Sequence, residues 1–359
     1  MSAFLILGTR PQIIKSSPVI NEAIRQGLSI KIVHTGQHYD NALSKIIFDE
    51  LSSSDLFANL NVGSGSQIYQ ITETMSRLEK LFQSEKPSLI IIPGDTNSAL
   101  AGGLFAAKMD LPVAHLESGA RSYDMHMSEE INRRLIDHLS KVLFSPTDNC
   151  SLNLRNECVQ GEVFQAGDTM FDVFSTTKDA VDKSCVINDL GFVDKDFMVL
   201  TAHRAENVDN KTKLLGLFSV LKNSNMPVLF PVHPRTKARL NLIGISFKNS
   251  NIHTIDPVGY IEMLSLLKHA KIAITDSGGL QKEALWSKTP CVTIRDRTEW
   301  VETVELGVNF VTDVNSDKIT SALRYILDNY DEVCNRFTSN PYGDGRASER
   351  IVRFLKERL

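Results

Sequence analysis

The chain has 359 residues, 42% hydrophobic, 7% aromatic and 23% charged, a globular balance that excludes a disordered, collagen-like or coiled-coil protein. At roughly 150 residues per domain the length suggests two domains, each able to bury a sizeable core. The 39 basic and 43 acidic residues give a net charge of -4, so no global field attracts nucleic acid or an anionic membrane, and a bound anion needs a local site. The five cysteines are widely spaced without a C-x-x-C pair, the N-terminal apolar run stops at Gly8, and no stretch approaches the roughly 18 apolar residues of a membrane span. A cytoplasmic protein is expected.

From residue 1 to about 167, short apolar runs alternate with helical patterns. Phe4 to Leu7, Ile30 to Val33, Leu89 to Ile92, Pro112 to Leu116, Val142 to Phe144 and Val163 to Gln165 are predicted strands, with Pro11 to Arg25 and Thr96 to Lys108 among the helices. Thr169 to Ser184 reads as a helix and the polar Cys185 to Lys195 as an interdomain linker. A second series follows, with strands at Phe197 to Leu200, Val228 to Phe230, Ile252 to Ile255, Ile272 to Ile274, Cys291 to Thr293 and Phe310 to Val311. Its clearest helices are Ile261 to His269, Leu280 to Trp286 and Lys318 to Asp328, and a turn cluster precedes a last helix at Arg346 to Leu359. Nearly continuous apolar strands alternating with helices indicate parallel sheets covered on both faces. The expected fold is α/β, with two doubly wound Rossmann-like domains facing a cleft: 1–168, 169–345, and a C-terminal helix at 346–359 packing back on the first.

Ligands of such sheets bind beyond the carboxyl ends of the strands. After the first strand, Arg10 and Lys15 flank a glycine turn and a helix N-terminus, which suits a phosphate or carboxylate better than the alternative of a solvated helix face. Asp95 follows a later strand and could simply cap a helix. Glu117 ends the next strand, Arg121 comes four residues on, and Glu129 and Glu130 follow within a dozen; the last two also suit an ordinary first helical turn. Together they resemble a general acid/base cluster. In the second series His203 with Arg204, and His233 with Arg235, stand at successive strand exits. Ser277, Gly278 and Gly279 open a helix whose N–H groups would cradle a diphosphate, with Glu283 one turn on to bind ribose. The NAD(P) and Walker A glycine patterns are absent. Gly36 between His34 and His38 argues against a helical zinc site, so no metal or cofactor is expected.

Ordered motifs along nearly the whole chain resemble the non-hydrolysing UDP-N-acetylglucosamine 2-epimerase family, which has the GT-B fold. They are GTRPQIIK from Gly8, TGQHYD from Thr35, GDTNS from Gly94, HLESGARS from His115, EEINR from Glu129, HRAEN from His203, HPRT from His233, DPVGY from Asp256, TDSGGLQKEA from Thr275, RDRTEWVE from Arg295 and YGDGRASERI from Tyr342. The resemblance implies inversion of C2 through loss of the C2 proton with UDP, a 2-acetamidoglucal, and re-addition of both, without a redox cofactor. It carries Asp95, Glu117 and Glu129 over as catalytic carboxylates, with Lys15 and His203 as electrostatic partners. Arg10, Arg121, Arg204, His233, Val258, Tyr260, Ser277, Gly278, Gly279, Glu283 and Arg295 are carried over for UDP-sugar binding, with Val258 and Tyr260 in the uracil pocket. A homodimer is implied as well, and the part played by TGQHYD in an allosteric site of relatives fits only partly here.

Three departures stand out. Gln12 and Lys282 occupy positions where the family usually has Glu, and Trp300-Val301 replaces Arg-Pro after Glu299. Such losses of acid and gain of cation resemble the branch acting on UDP-2,3-diacetamido-2,3-dideoxyglucuronate, unless Lys282 merely sits on a solvated helix face and Gln12 relieves repulsion. A glycosyltransferase of the same fold, a hydrolysing 2-epimerase and a non-catalytic nucleotide-sugar sensor are the competing functions.

Overall fold

The computed structural model describes residues 2–37, 56–83 and 85–358. Contacts divide the chain into two units, Met1–Ser175 with Pro341–Leu359, and Thr176–Asn340. In the first unit, β1 (Ala3–Leu7), β2 (Ile30–His34), β3 (Leu56–Asn59), β4 (Leu89–Pro93), β5 (Val113–Leu116), β6 (Val142–Ser145) and β7 (Glu162–Gln165) form a parallel sheet in the order β3-β2-β1-β4-β5-β6-β7. Helices α1 (Arg10–Arg25), α2 (Gln67–Leu81), α3 (Asn97–Lys108), α4 (Ser128–Leu139) and α5 (Asp148–Asn156) connect the strands. The period-2 geometry of a strand explains why β1 is apolar throughout: Ala3, Leu5 and Leu7 enter one core, while Phe4 and Ile6 enter another. The C-terminal helix, labelled α16 in chain order (Ala347–Arg358), completes the first of these cores with Ile351, Val352, Phe354 and Leu355.

The second unit carries a six-stranded parallel sheet, β10-β9-β8-β11-β12-β13, from β8 (Met198–Thr201), β9 (Val228–Pro231), β10 (Ile252–Ile255), β11 (Ile272–Thr275), β12 (Cys291–Thr293) and β13 (Asn309–Val311). Between α5 and α16, the helices are α6 (Thr169–Asp182), α7 (Val186–Leu190), α8 (Ala205–Val208), α9 (Lys211–Lys222), α10 (Pro234–Leu242), α11 (Tyr260–His269), α12 (Gly278–Trp286), α13 (Val301–Glu305), α14 (Ser316–Asp328) and α15 (Tyr330–Cys334). Both sheets reverse their winding direction at one place, between β1 and β4 and between β8 and β11. Those switch points are where open α/β sheets take ligands, and the exits there carry Arg10, Lys15 and Asp95 in one unit and His203 and Ser277 in the other.

Two expectations change. The segment 185–195 is not a linker: it forms α7, buries Ile187, and Lys195 donates its backbone N–H to the His269 carbonyl at 2.8 Å. Its Nζ also donates to the Lys268 and Ala270 carbonyls, closing the C-terminus of α11 with a cation. The edge strand β3 has no counterpart among the predicted strands because it is largely exposed and lacks an apolar alternation. Among the described residues, no helix is long and apolar enough to cross a membrane.

Candidate functional site

In the first unit Asp95 lies at the exit of β4 and Glu117 at the exit of β5, while Glu129 lies in the first turn of α4. Lys15 Nζ, one turn into α1, donates to Glu117 Oε1 at 2.6 Å, with the two side chains only 12% and 14% exposed. Gly94 makes that approach possible: its φ is +66°, and a Cβ there would lie 2.9 Å from Lys15 Nζ. Glu117 itself has φ +66°, a left-handed conformation costing a non-glycine residue on the order of 1 kcal/mol. It is held by the chain on both sides, where Gly94 N donates to Leu116 O and Ser118 N to Phe144 O. Asp95 receives Arg133 Nη2 at 2.6 Å and Nε at 3.1 Å. Glu129, at the start of α4, accepts the Ser128 hydroxyl at 3.1 Å. Arg10 is half-buried at the start of α1, and among the described residues its Nε finds no partner. No acid occupies the first turn of α1, so this helix N-terminus remains positive.

Other residues of this unit act behind the site. Glu130 is fully buried and accepts from Ser122 N, Ser122 Oγ, Tyr123 N, Arg133 and Arg134, so it braces the loop after β5. Arg121, expected on the ligand, is also buried. Its guanidinium bonds Glu157 through Nε and Nη2, Asp137 Oδ2 at 2.7 Å and the Ala120 carbonyl, which ties that loop to α4 and α5. Gln12 is 1% exposed; its Oε1 accepts from Gly8 N and its Nε2 donates to Pro93 O at 2.7 Å, cross-linking the exits of β1 and β4. Its amide therefore answers a local need for one acceptor and one donor. His34 is buried and lowered by that burial, its Nδ1 accepting from Gly36 N; His38, Tyr39 and Asp40 of the TGQHYD motif lie outside the described residues.

In the second unit the organising group is Asp276, buried at the exit of β11 and not among the residues expected at the site. It accepts His203 N and Arg204 N at 2.9 Å and Asn207 Nδ2 at 3.3 Å, and lies 3.2 Å from His203 Nδ1. Burial alone would raise its pKa, but the His203 ring and these N–H donors hold the carboxyl below its ordinary value. His203 thus stands 41% exposed with one ring nitrogen fixed. The His233 ring is 5.7 Å away, centroid to centroid. Its Nδ1 accepts from Arg235 N, and burial, then the neighbouring His203, lowers its pKa, so it presents a neutral imidazole.

Of the three amides expected to cradle a diphosphate, one is engaged within the chain. Ser277 N donates to Thr275 Oγ1 at 2.9 Å and the Ser277 hydroxyl caps Leu280 N, leaving the N–H groups of Gly278 and Gly279 in the first turn of α12. Gly278 is required by packing, since a Cβ would come within 2.6 Å of Glu299 Oε1, whereas Gly279 faces open space. Glu283 is buried on the same helix, and Val258 and Tyr260 are half-buried after β10. Arg295, also expected on the ligand, is buried and bonds Glu299 Oε2 at 2.8 Å, so it supports the residue packed on Gly278. Lys282 is not on a solvated face. It is 1% exposed, with Nζ 3.8 Å from the centroid of the Trp300 ring. Two of the departures, at 282 and 300, are therefore one substitution in space, a cation stacked on an aromatic face.

The UDP-N-acetylglucosamine 2-epimerase family profile matches residues 22–356. The chain is 41% identical over 367 residues to UDP-N-acetylglucosamine 2-epimerase of Methanocaldococcus jannaschii, covering 99% of each chain. It is 38% identical over 366 residues to UDP-2,3-diacetamido-2,3-dideoxy-D-glucuronate 2-epimerase of Pseudomonas aeruginosa, again covering 99% of each. Its fold is similar to the crystal structure of the M. jannaschii enzyme in complex with UDP-GlcNAc and UDP, with TM-score 0.91 over 99% of this chain and 100% of that one, at 41% identity.

Proposed function

The chain belongs to the UDP-N-acetylglucosamine 2-epimerase family, and from that premise we propose that it interconverts UDP-GlcNAc and UDP-ManNAc by eliminating and re-adding UDP. The observation that carries this reading is the Lys15–Glu117 pair at the β5 exit with Asp95 at the exit of the neighbouring β4, bonded to Arg133 of α4, the helix whose first turn carries Glu129. The C2 proton is weakly acidic, so its removal needs a positioned carboxylate, while the departing diphosphate needs donors and cations. Glu117 and Asp95 each face a cation at 2.6 Å. Glu129, which accepts the Ser128 hydroxyl, is the carboxylate assigned to take up the C2 proton. As that proton leaves, the C1–O bond breaks with its electron pair going to UDP, and the sugar becomes a 2-acetamidoglucal. Return of a proton to the other face of C2, drawn from water through Asp95 or Glu117, with UDP re-forming the C1–O bond, inverts the centre, and Glu129 gives its own proton up to water. In the second unit, the Gly278 and Gly279 amides with His203 and Arg204 would hold the diphosphate, Glu283 the ribose, and Val258 and Tyr260 the base.

Gln12 and Lys282 were the grounds for an acidic sugar, and both are committed to buried partners. UDP-GlcNAc is accordingly the first substrate. The diacetamido uronate is the second reading, favoured by the P. aeruginosa relative. Incubation with each sugar in D2O, followed by proton NMR, tests both: deuterium at C2 with a manno-configured UDP-sugar supports the activity, and free sugar with UDP would indicate hydrolysis instead.

We further propose a homodimer through α4, whose Ile131 and Leu135 are exposed one turn apart beside exposed Tyr123, which bonds Asn153 and lies under the Arg134 guanidinium. Light scattering of the wild type and of Leu135→Glu tests it. All five cysteines are free, which suits the reducing cytoplasm proposed as its compartment.

A further inference from the structure

The acids of the first unit sit on separate loops, and one buried pair joins those loops. His115, in β5, places Nε2 2.9 Å from the Gly94 carbonyl and Nδ1 2.6 Å from Asp137 Oδ1. Asp137, in α4, also accepts Gly119 N at 3.1 Å and Arg121 Nη1 at 2.7 Å through Oδ2. Both side chains of the pair are fully buried. Both ring nitrogens are thereby engaged, one by the Gly94 carbonyl and one by Asp137. Gly94 precedes Asp95 and makes room for Lys15 Nζ, while Gly119 and Arg121 lie just beyond Glu117. On the other side, Gln12 ties Pro93 O to Gly8 N. A continuous buried chain thus runs from the β1 exit through the β4 exit to the β5 exit and α4.

We infer that His115 and Asp137 are positioning residues for the epimerase chemistry, setting the separation of Asp95 from the Glu117–Lys15 pair without touching substrate. The inference rests on the functional reading above. The bond to the Gly94 carbonyl satisfies the second ring nitrogen, as burial requires, and it is also the bond that links the acid-bearing loops.

Two substitutions separate the bonds, because Asn places its amide near the position of ring Nδ1 and Gln near that of Nε2. His115→Asn keeps a donor toward Asp137 and loses the reach to Gly94 O, while His115→Gln keeps that reach. In His115→Asn, C2 deuterium exchange on the UDP-sugar should fall about 100-fold, the effect of a misplacement near 1 Å. UDP affinity should stay within about threefold of wild type, since no ligand group has been altered; His115→Gln should recover most of the rate. Equal losses in both variants, or an exchange loss matched by the loss of UDP affinity, would overturn the inference. Amide hydrogen exchange on the same proteins provides a second readout that needs no activity. Faster exchange at residues 94–97 in His115→Asn, restored in His115→Gln, supports the inference, and unchanged protection overturns it. Wild-type protein that binds UDP and exchanges no C2 proton would instead remove the functional reading, with the amide readout still deciding the positioning role.

Discussion

The Lys15–Glu117 pair separates stability from catalysis when it is dismantled one partner at a time. Lys15→Met removes the cation from a mostly buried carboxylate, and losing one partner of a buried pair costs roughly 3–5 kcal/mol when water is fully excluded. With 12% and 14% exposure some solvent relief remains, so about 2–3 kcal/mol is expected for Lys15→Met. About 1–2 is expected for Glu117→Gln, whose amide oxygen still accepts from Lys15. The double variant removes both charges, and its loss should fall short of the sum by about 1 kcal/mol or more. Activity should behave differently. Each single variant should lose about 10²–10⁴-fold in C2 exchange rate, the range for a positioned acid–base group, and the double should recover none of it. Denaturant melts supply the stabilities and proton NMR in D2O supplies the rates. Additive stability losses, or a Glu117→Gln protein within about tenfold of wild type in exchange rate, would refute the reasoning.

Two further outcomes follow from the second unit. The Asp276 carboxyl is depressed in the fold, so its stabilising contribution is complete above the ordinary value of 3.8 and is lost as pH falls through the lower folded value. Wild-type melting temperature should therefore drop more steeply than that of Asp276→Asn between about pH 5 and about pH 2; parallel curves would contradict the depressed carboxyl. The adjacent glycines of the cradle should respond in opposite ways. Gly279→Ala adds a methyl group in open space and should melt like wild type while UDP affinity, followed calorimetrically, falls about tenfold from obstruction of the diphosphate. Gly278→Ala drives a Cβ toward Glu299 and should lose about 1–3 kcal/mol of stability. Matching effects at the two positions would contradict the assignment.

The strands and their polar exits were legible because strand-length apolar runs ended in Gly8-Thr9-Arg10, Gly94-Asp95, His203-Arg204 and Ser277-Gly278, residues that a buried strand exit has no packing reason to hold, whereas the strand order and its switch points were not. Burial was not legible, since a motif does not say which way a side chain points. Arg121 and Arg295 read as anion binders but turn inward to Asp137 with Glu157 and to Glu299. Gln12 and Lys282 read as changes in the pocket but satisfy local partners. The cluster on α4 did leave a signal. Glu130, Arg133 and Asp137, at i, i+3 and i+7, share one helix face with Ile136 beside it, and charges on the buried face of a helix imply partners there. Asp276 left only its place at a strand exit, which helix capping would have explained equally well.

Epimerisation in D2O tests the central claim most directly. With wild-type protein and UDP-GlcNAc, proton NMR should show UDP-ManNAc appearing, C2 deuterium entering both sugars, and no free N-acetylmannosamine. Retention of the C2 proton in protein that binds UDP, with either UDP-GlcNAc or the diacetamido uronate, would contradict it.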